Sequence, residues 1–183
     1  MDPPIYHPPY HWSPVMKSRL LIAAALVLVA PLVARAATSE ASNTFNVSLG
    51  HDKCIQWYEA NRAKVLNASN CQVLGNLGDG KYKVQTNTPV GACKYVIKES
   101  REQGKTKDGH PRTTYRITYV NNVSGRVANQ ELTISMTDKG GKTEVAMWMS
   151  TTVSGRLVPV FAVRNVQDDC LAGCERFMTK NAR

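Results

Sequence analysis

Histidine is scarce in this chain. The 183 residues contain four, and His7 and His11 fall in a proline-rich stretch at the very start. Only His51 and His110 remain to serve as the base that a serine or cysteine nucleophile requires. Both lie in stretches that read as loops, and His51 beside Asp52 reads as a helix-cap region. No Gly-x-Ser-x-Gly elbow occurs, and no glycine loop of the phosphate-cradling kind. Paired carboxylates are missing as well. Glu131 and Glu144 fall on the wet faces of strand-like segments, and no inward-facing acid accompanies them. The five cysteines match no zinc spacing, even with His51 or His110 added. These absences exclude the common hydrolytic, nucleotide-dependent and zinc-dependent chemistries, so neither a cofactor nor a metal is expected. Acidic residues are also few, 14 against 23 lysines and arginines, for a formal charge of +9.

What is present begins with a leader. Met16-Lys17-Ser18-Arg19 is a short basic start, and Leu20 to Val33 is an apolar run of leucine, alanine and valine. Ala34-Arg35-Ala36 has the small-x-small form of a signal-peptidase site. Pro31 interrupts the run, which is short for a membrane span. Residues 16–36 therefore read as a cleaved secretory signal of bacterial type. Residues 1–15, with Pro3, Pro4, Pro8, Pro9 and Pro14, read as a misassigned start or a disordered extension. Removing Lys17, Arg19, Arg35 and Asp2 leaves a charge of about +7 on the exported chain. Its lysines and arginines are mostly scattered, as on a solvated surface. A basic surface of this kind favours contact with an anionic membrane over a nucleic-acid site. The sequons at Asn46, Asn67 and Asn122 are expected to be bare in such a host.

Residues 37–43 read as a short linker, and the folded domain as 44–180. Thr44 to Leu49 alternates Phe45, Val47 and Leu49 as a first strand. Asp52 can cap a helix from Lys53 to about Leu66. Strand-like segments then follow at hairpin spacing: 71–77, 81–88, 93–100, 113–120, 130–137 and 143–153. Gly78-Asp79-Gly80, Asn121 to Gly125 and Asp138 to Gly141 turn the chain between them. Pro159 opens a long final helix whose apolar stripe is Val163, Val166, Cys170, Cys174 and Phe177. Arg164, Asn165, Gln167 and Asp168 fall on its other face. Consecutive strands with helices segregated at the ends argue an α+β domain with an antiparallel sheet.

This order resembles the START-like superfamily, the SRPBCC group of polyketide cyclases, plant allergens and lipid-transfer proteins. The resemblance rests on a helix after the first strand, the Gly-Asp-Gly turn at 78–80, the Thr-x-Pro break near Thr86–Pro89, and the Gly155-Arg-Leu-Val-Pro159 passage into the last helix. It implies a helix-grip: a curved antiparallel sheet of about six to seven strands wrapped on the long C-terminal helix. It also implies a cavity between them for a hydrophobic small molecule or lipid. The candidate lining is Tyr82, Tyr95, Ile97, Tyr115, Ile117, Tyr119, Ile134, Met147 and Met149 from the sheet, with Val163 and Val166 from the helix. Apolar walls carrying a few hydroxyls suit such a ligand. The same pattern also fits a filled core.

Export makes disulfides plausible among Cys54, Cys71, Cys93, Cys170 and Cys174. Cys54 and Cys71 are near in sequence, and Cys170 or Cys174 could meet Cys93. The odd count leaves one thiol over. The reading is an exported, monomeric or weakly dimeric binding protein. One rival is a cyclase- or dehydrase-type enzyme of the same superfamily, which needs an inward acid, base or arginine; Arg116 points outward by parity. The other is an envelope interaction module with a filled core and Trp148 on its outer face.

Overall fold

The computed structural model describes residues 36–88, 91–154 and 159–183. The expected signal segment at 16–36, apart from Ala36, and the expected prefix at 1–15 lie outside that range. So do Pro89 and Val90 of the Thr-x-Pro break and most of the passage into the last helix.

Seven strands form one antiparallel sheet: β1 (Ala37–Val47), β2 (Cys71–Gly78), β3 (Lys81–Thr88), β4 (Gly91–Lys105), β5 (Pro111–Ser124), β6 (Val127–Asp138) and β7 (Thr143–Val153). Their order across the sheet is β1-β7-β6-β5-β4-β3-β2. β2 to β7 thus form a meander of hairpins, and β1 returns to close on β7. Two helices interrupt or end this run, α1 (His51–Ala68) and α2 (Val160–Asn181). The fold class is α+β, as the sequence implies.

β1 starts at Ala37 and pairs with β7 along its whole length, from Ala37 opposite Val153 to Val47 opposite Thr143. The expected linker at 37–43 is therefore strand. The alternation there is of small residues, with Ser39 and Ala41 buried, so no hydrophobic signal marks it. β7 shows the alternation most plainly: every odd residue from Thr143 to Val153 is buried and every even one is half-exposed. α1 begins at His51 with Gly50 as its N-cap. Asp52 does not cap the helix; it sits in the first turn, where its charge complements the helix dipole.

Both helices cover the inner face of the sheet. α1 supplies Cys54, Ile55, Tyr58, Val65 and Leu66 to the core. They pack with Ile97, Tyr115, Ile117, Leu132, Ile134 and Met136 from the strands. Burying side chains of this size stabilises by about 1.5–3 kcal/mol each. α2 buries Val163, Gln167, Cys170, Leu171, Gly173, Cys174 and Met178. The buried stripe is rotated from the expected one: Val166 and Phe177 lie at its edge, and Gln167 lies inside it.

Gly173 explains the rotation. A Cβ placed there would stand 2.1 Å from the carbonyl oxygen of Ala68, at the end of α1. The two helices meet backbone to backbone at that point, and Cys174 Sγ points at Val65 O, 3.6 Å away. Only glycine permits this approach. Gly173→Ala is expected to cost about 3 kcal/mol, the upper end for overpacking against backbone that cannot yield. Urea denaturation checks this, with Ala172→Gly as a control for helix propensity.

Candidate functional site

α2 leaves the sheet uncovered in one place. Between its first half and strands β3, β4, β6 and β7 lies a cavity of about 70 Å³. Tyr95, Met149, Val163 and Val166 line it, as expected from the sequence. Thr86, Val127, Gln130, Val153, Ala162, Gln167 and Cys170 line it as well. Pro159 stands at the start of α2, on the cavity's edge.

The lining is neutral among the described residues. Its polar groups are amides, hydroxyls and a thiol. Thr86 Oγ1 and the Tyr95 hydroxyl lie 2.7 Å apart and share one hydrogen bond. Gln167 Nε2 donates to Ser39 O at 2.9 Å and to Met149 O at 3.4 Å, tying α2 to β1 and β7. Gln130 Nε2 reaches the Met149 sulfur at 3.9 Å. A cavity of this size holds roughly five water-sized positions, at about 10–15 Å³ each.

The other expected lining residues are placed elsewhere. Ile97 and Ile117 border a separate void of about 10 Å³ beneath Leu66. Ile134 and Met147 are packed solid in the core. Tyr119 stacks its ring 5.9 Å from that of Tyr95, outside the cavity. Tyr82 and Tyr115 belong to a polar network under α1. Parity shows which face a residue occupies, but not that α1 covers the part of it where Tyr82, Ile97, Tyr115 and Ile117 stand.

That network contains the inward carboxylate the sequence reading lacked. Glu99 shares the parity of Cys93, Tyr95 and Ile97, and its side chain is 6% exposed. Arg62 of α1 brings Nε to 2.8 Å from Glu99 Oε1. Arg62 also donates from Nη1 to Tyr82 OH at 3.0 Å. Tyr58 OH donates to Glu99 Oε2 at 3.4 Å. Tyr115 OH and Arg101 both donate to Glu59 Oε1 at 2.9 Å. Burial pushes the Glu99 carboxyl up, and the Arg62 charge and the Tyr58 hydroxyl pull it partly back. Glu99 does not line the cavity, so the pair clamps α1 to β3 and β4 rather than facing a ligand. Arg62→Met strands a buried carboxylate and should cost about 3 kcal/mol. Adding Glu99→Gln should recover most of that loss, and chemical denaturation of the two single variants and the double variant measures the coupling.

Arg116, Glu131 and Glu144 are on the outer face, paired as Arg116–Glu131 at 3.5 Å and Lys139–Glu144 at 3.7 Å. Trp148 is half-buried there, between Ser42 of β1 and Thr133 of β6.

All five cysteines are buried free thiols. The bridge between Cys54 and Cys71 is overturned by geometry. They stand at opposite ends of α1, whose 18 residues span about 27 Å. A disulfide needs Cα atoms about 4.4–6.8 Å apart. Cys93 packs against Gly125 and the Arg126 amide, and its Sγ accepts from that N–H at 3.4 Å. Burial pushes Cys54 and Cys71 up to about 11, and Cys170 and Cys174 up to about 12. Thiolate is therefore scarce at pH 8, and these sulfurs are poor nucleophiles. A chromogenic thiol reagent should react slowly with the native protein at pH 8, faster as pH approaches 11, and with five thiols in denaturant. Fewer than five in denaturant would disprove the free-thiol assignment.

The fold itself has counterparts. No protein-family model matches the sequence, and no curated protein matches it. Among solved structures, a START superfamily protein from Mycobacterium smegmatis superposes with a TM-score of 0.53, at 11% identity over 79% of this chain and 99% of that one. A STAR-related lipid transfer protein from Xanthomonas axonopodis superposes with a TM-score of 0.54, at 13% identity over 77% and 84%. The chain has the START-like fold. Its curved antiparallel sheet and C-terminal helix are the helix-grip arrangement.

Sequence reasoning missed Gln130 and Gln167, because glutamine on an amphipathic pattern is assigned to water by default. The signal for Gln167 was its place between Val163, Cys170 and Cys174 on one helical turn series.

Proposed function

We propose that this chain is an exported carrier that holds a hydrophobic small molecule, or part of a lipid, between α2 and the sheet. The observation that carries this reading is the cavity of about 70 Å³ with a mainly apolar lining. It lies where a helix-grip fold can open without breaking the sheet. Apolar burial there favours binding by about 25 cal/mol per Å² before the costs of association. The START-like fold supports the reading, and one of its structural neighbours is named a lipid transfer protein. The cavity is small for a whole lipid, so a longer ligand requires α2 to lift at its first turns. Free thiols at Cys170 and Cys174 leave the helix unpinned and permit that movement.

Export is supported by the sequence pattern of residues 16–36, a basic start, an apolar run and the Ala34-Arg35-Ala36 motif. Contact with an anionic membrane is supported by the basic balance and by Val160 and Phe161. These stand 52% and 68% exposed at the start of α2, beside the cavity.

Native mass spectrometry of protein purified from its own host tests both parts. The expected result is a chain beginning at Ala37 that carries a reproducible adduct, removable by organic extraction. Val166→Trp should fill the cavity and abolish the adduct while leaving the thermal midpoint within a few degrees. A full-length chain would refute export. A bare wild-type chain, or an adduct retained by Val166→Trp, would refute the cavity as the binding site.

A further inference from the structure

Gln167 is 1% exposed, and its Oε1 has no hydrogen-bond partner. The orientation of the amide follows from its other end. The Nε2 side faces two carbonyl oxygens, Ser39 O and Met149 O. Turning the amide over would set oxygen against oxygen at both, so the nitrogen must face the backbone. The orphaned atom is therefore an acceptor. As α2 stands, no water-sized molecule reaches it from the surface or from the cavity, and a buried acceptor left without a donor is destabilising. No donor among the described residues, including the Thr86, Thr151 and Tyr95 hydroxyls and the Gln130 amide of the lining, lies within hydrogen-bond reach of it.

Resting on the carrier reading above, we propose that, as the first half of α2 lifts, the ligand presents one hydrogen-bond donor, a hydroxyl or N–H, to Gln167 Oε1. The ligand is then a neutral alcohol or amide with an apolar body. A carboxylate offers only acceptors and so gives Gln167 Oε1 no donor. An ether or alkane binds only through its apolar surface. Gln167 thus has two roles at once: its nitrogen ties α2 to β1 and β7, and its oxygen selects the ligand head group.

A matched probe set tests this without knowing the natural ligand. 1-Hexanol and 1-methoxypentane are isomers of nearly equal size, and only the alcohol can donate; hexanoate at pH 8 can only accept. Each is titrated into the ¹⁵N-labelled protein, and the amide shifts of Tyr95, Met149, Val163 and Gln167 are followed. The expected result is that 1-hexanol binds about tenfold more tightly than its isomer, the worth of one buried hydrogen bond. Hexanoate should be the weakest. Gln167→Met, with its fold checked by the same spectrum, should bind both isomers alike. Equal binding of the two isomers by the wild-type protein overturns the Gln167 inference and leaves the carrier reading standing. Tightest binding by hexanoate overturns it as well. No shift with any probe removes the cavity as a binding site, and the inference with it. The wild-type comparison stands alone should Gln167→Met fail to fold.

Discussion

The backbone contact between Gly173 and Ala68 sets how the two helices divide the sheet between them. α2 cannot lie centrally along the inner face, because the end of α1 already occupies that line. It therefore crosses the end of α1 at contact distance, with its second half sealed by Leu171, Cys174 and Met178. Its first half then runs out over β1 and β7, beyond the reach of α1. The cavity is what remains beneath that half. A side chain at position 173 would push the helices apart and alter everything downstream, including the tilt at which Val163 and Gln167 meet the sheet.

This division also separates two kinds of polar chemistry. Under α1 the charges are paired and buried, with Arg62 on Glu99 and Arg101 on Glu59. Under α2 no charge lines the cavity among the described residues, and the polar groups are amides and hydroxyls. Buried ion pairs fix orientation at a cost in desolvation, which suits an element that stays in place. Neutral groups impose a smaller desolvation cost on an incoming apolar molecule. The same sheet thus carries a clamped half and an adaptable half. The inward carboxylate that a cyclase- or dehydrase-type enzyme would require exists, but it belongs to the clamped half.

Much of the architecture was legible in the sequence, because strand parity is a local property. The alternation of Val145, Met147 and Met149 against Glu144 and Trp148 reads directly as an inner and an outer face, and Arg116, Glu131 and Glu144 stand outside as parity requires. What parity cannot show is which helix covers a given stretch of the inner face. Ile134 and Tyr95 read alike, yet one is sealed by α1 and the other looks into the cavity. Glu99 was readable and passed over, since it continues the series Cys93, Tyr95, Ile97. Gln167 was hidden by its own chemistry, because a helical pattern assigns amides to water unless a buried partner is known. Ser39 O and Met149 O are such partners, but they come from strands distant in sequence. The Cys54–Cys71 pairing failed for a related reason: across a helix, closeness in sequence is distance in space.

The arrangement of Gln167 bears on how a closed cavity can admit a ligand. The second half of α2 is held by apolar packing, by the backbone contact at Gly173, and by one bond to β1, in which Asn43 Nδ2 donates to Glu175 Oε2 at 2.8 Å. Its first half is held at β1 by directional bonds, from Gln167 to Ser39 O and from Arg164 to Glu40 O. Apolar packing resists separation over its whole area, whereas a few hydrogen bonds can exchange with water one at a time. On the proposed carrier reading, a longer ligand requires the first turns of α2 to lift about the crossing at Gly173. Those turns also carry the exposed Val160 and Phe161. On the same carrier reading, a helix lifted there presents its apolar start and its cavity on the same side.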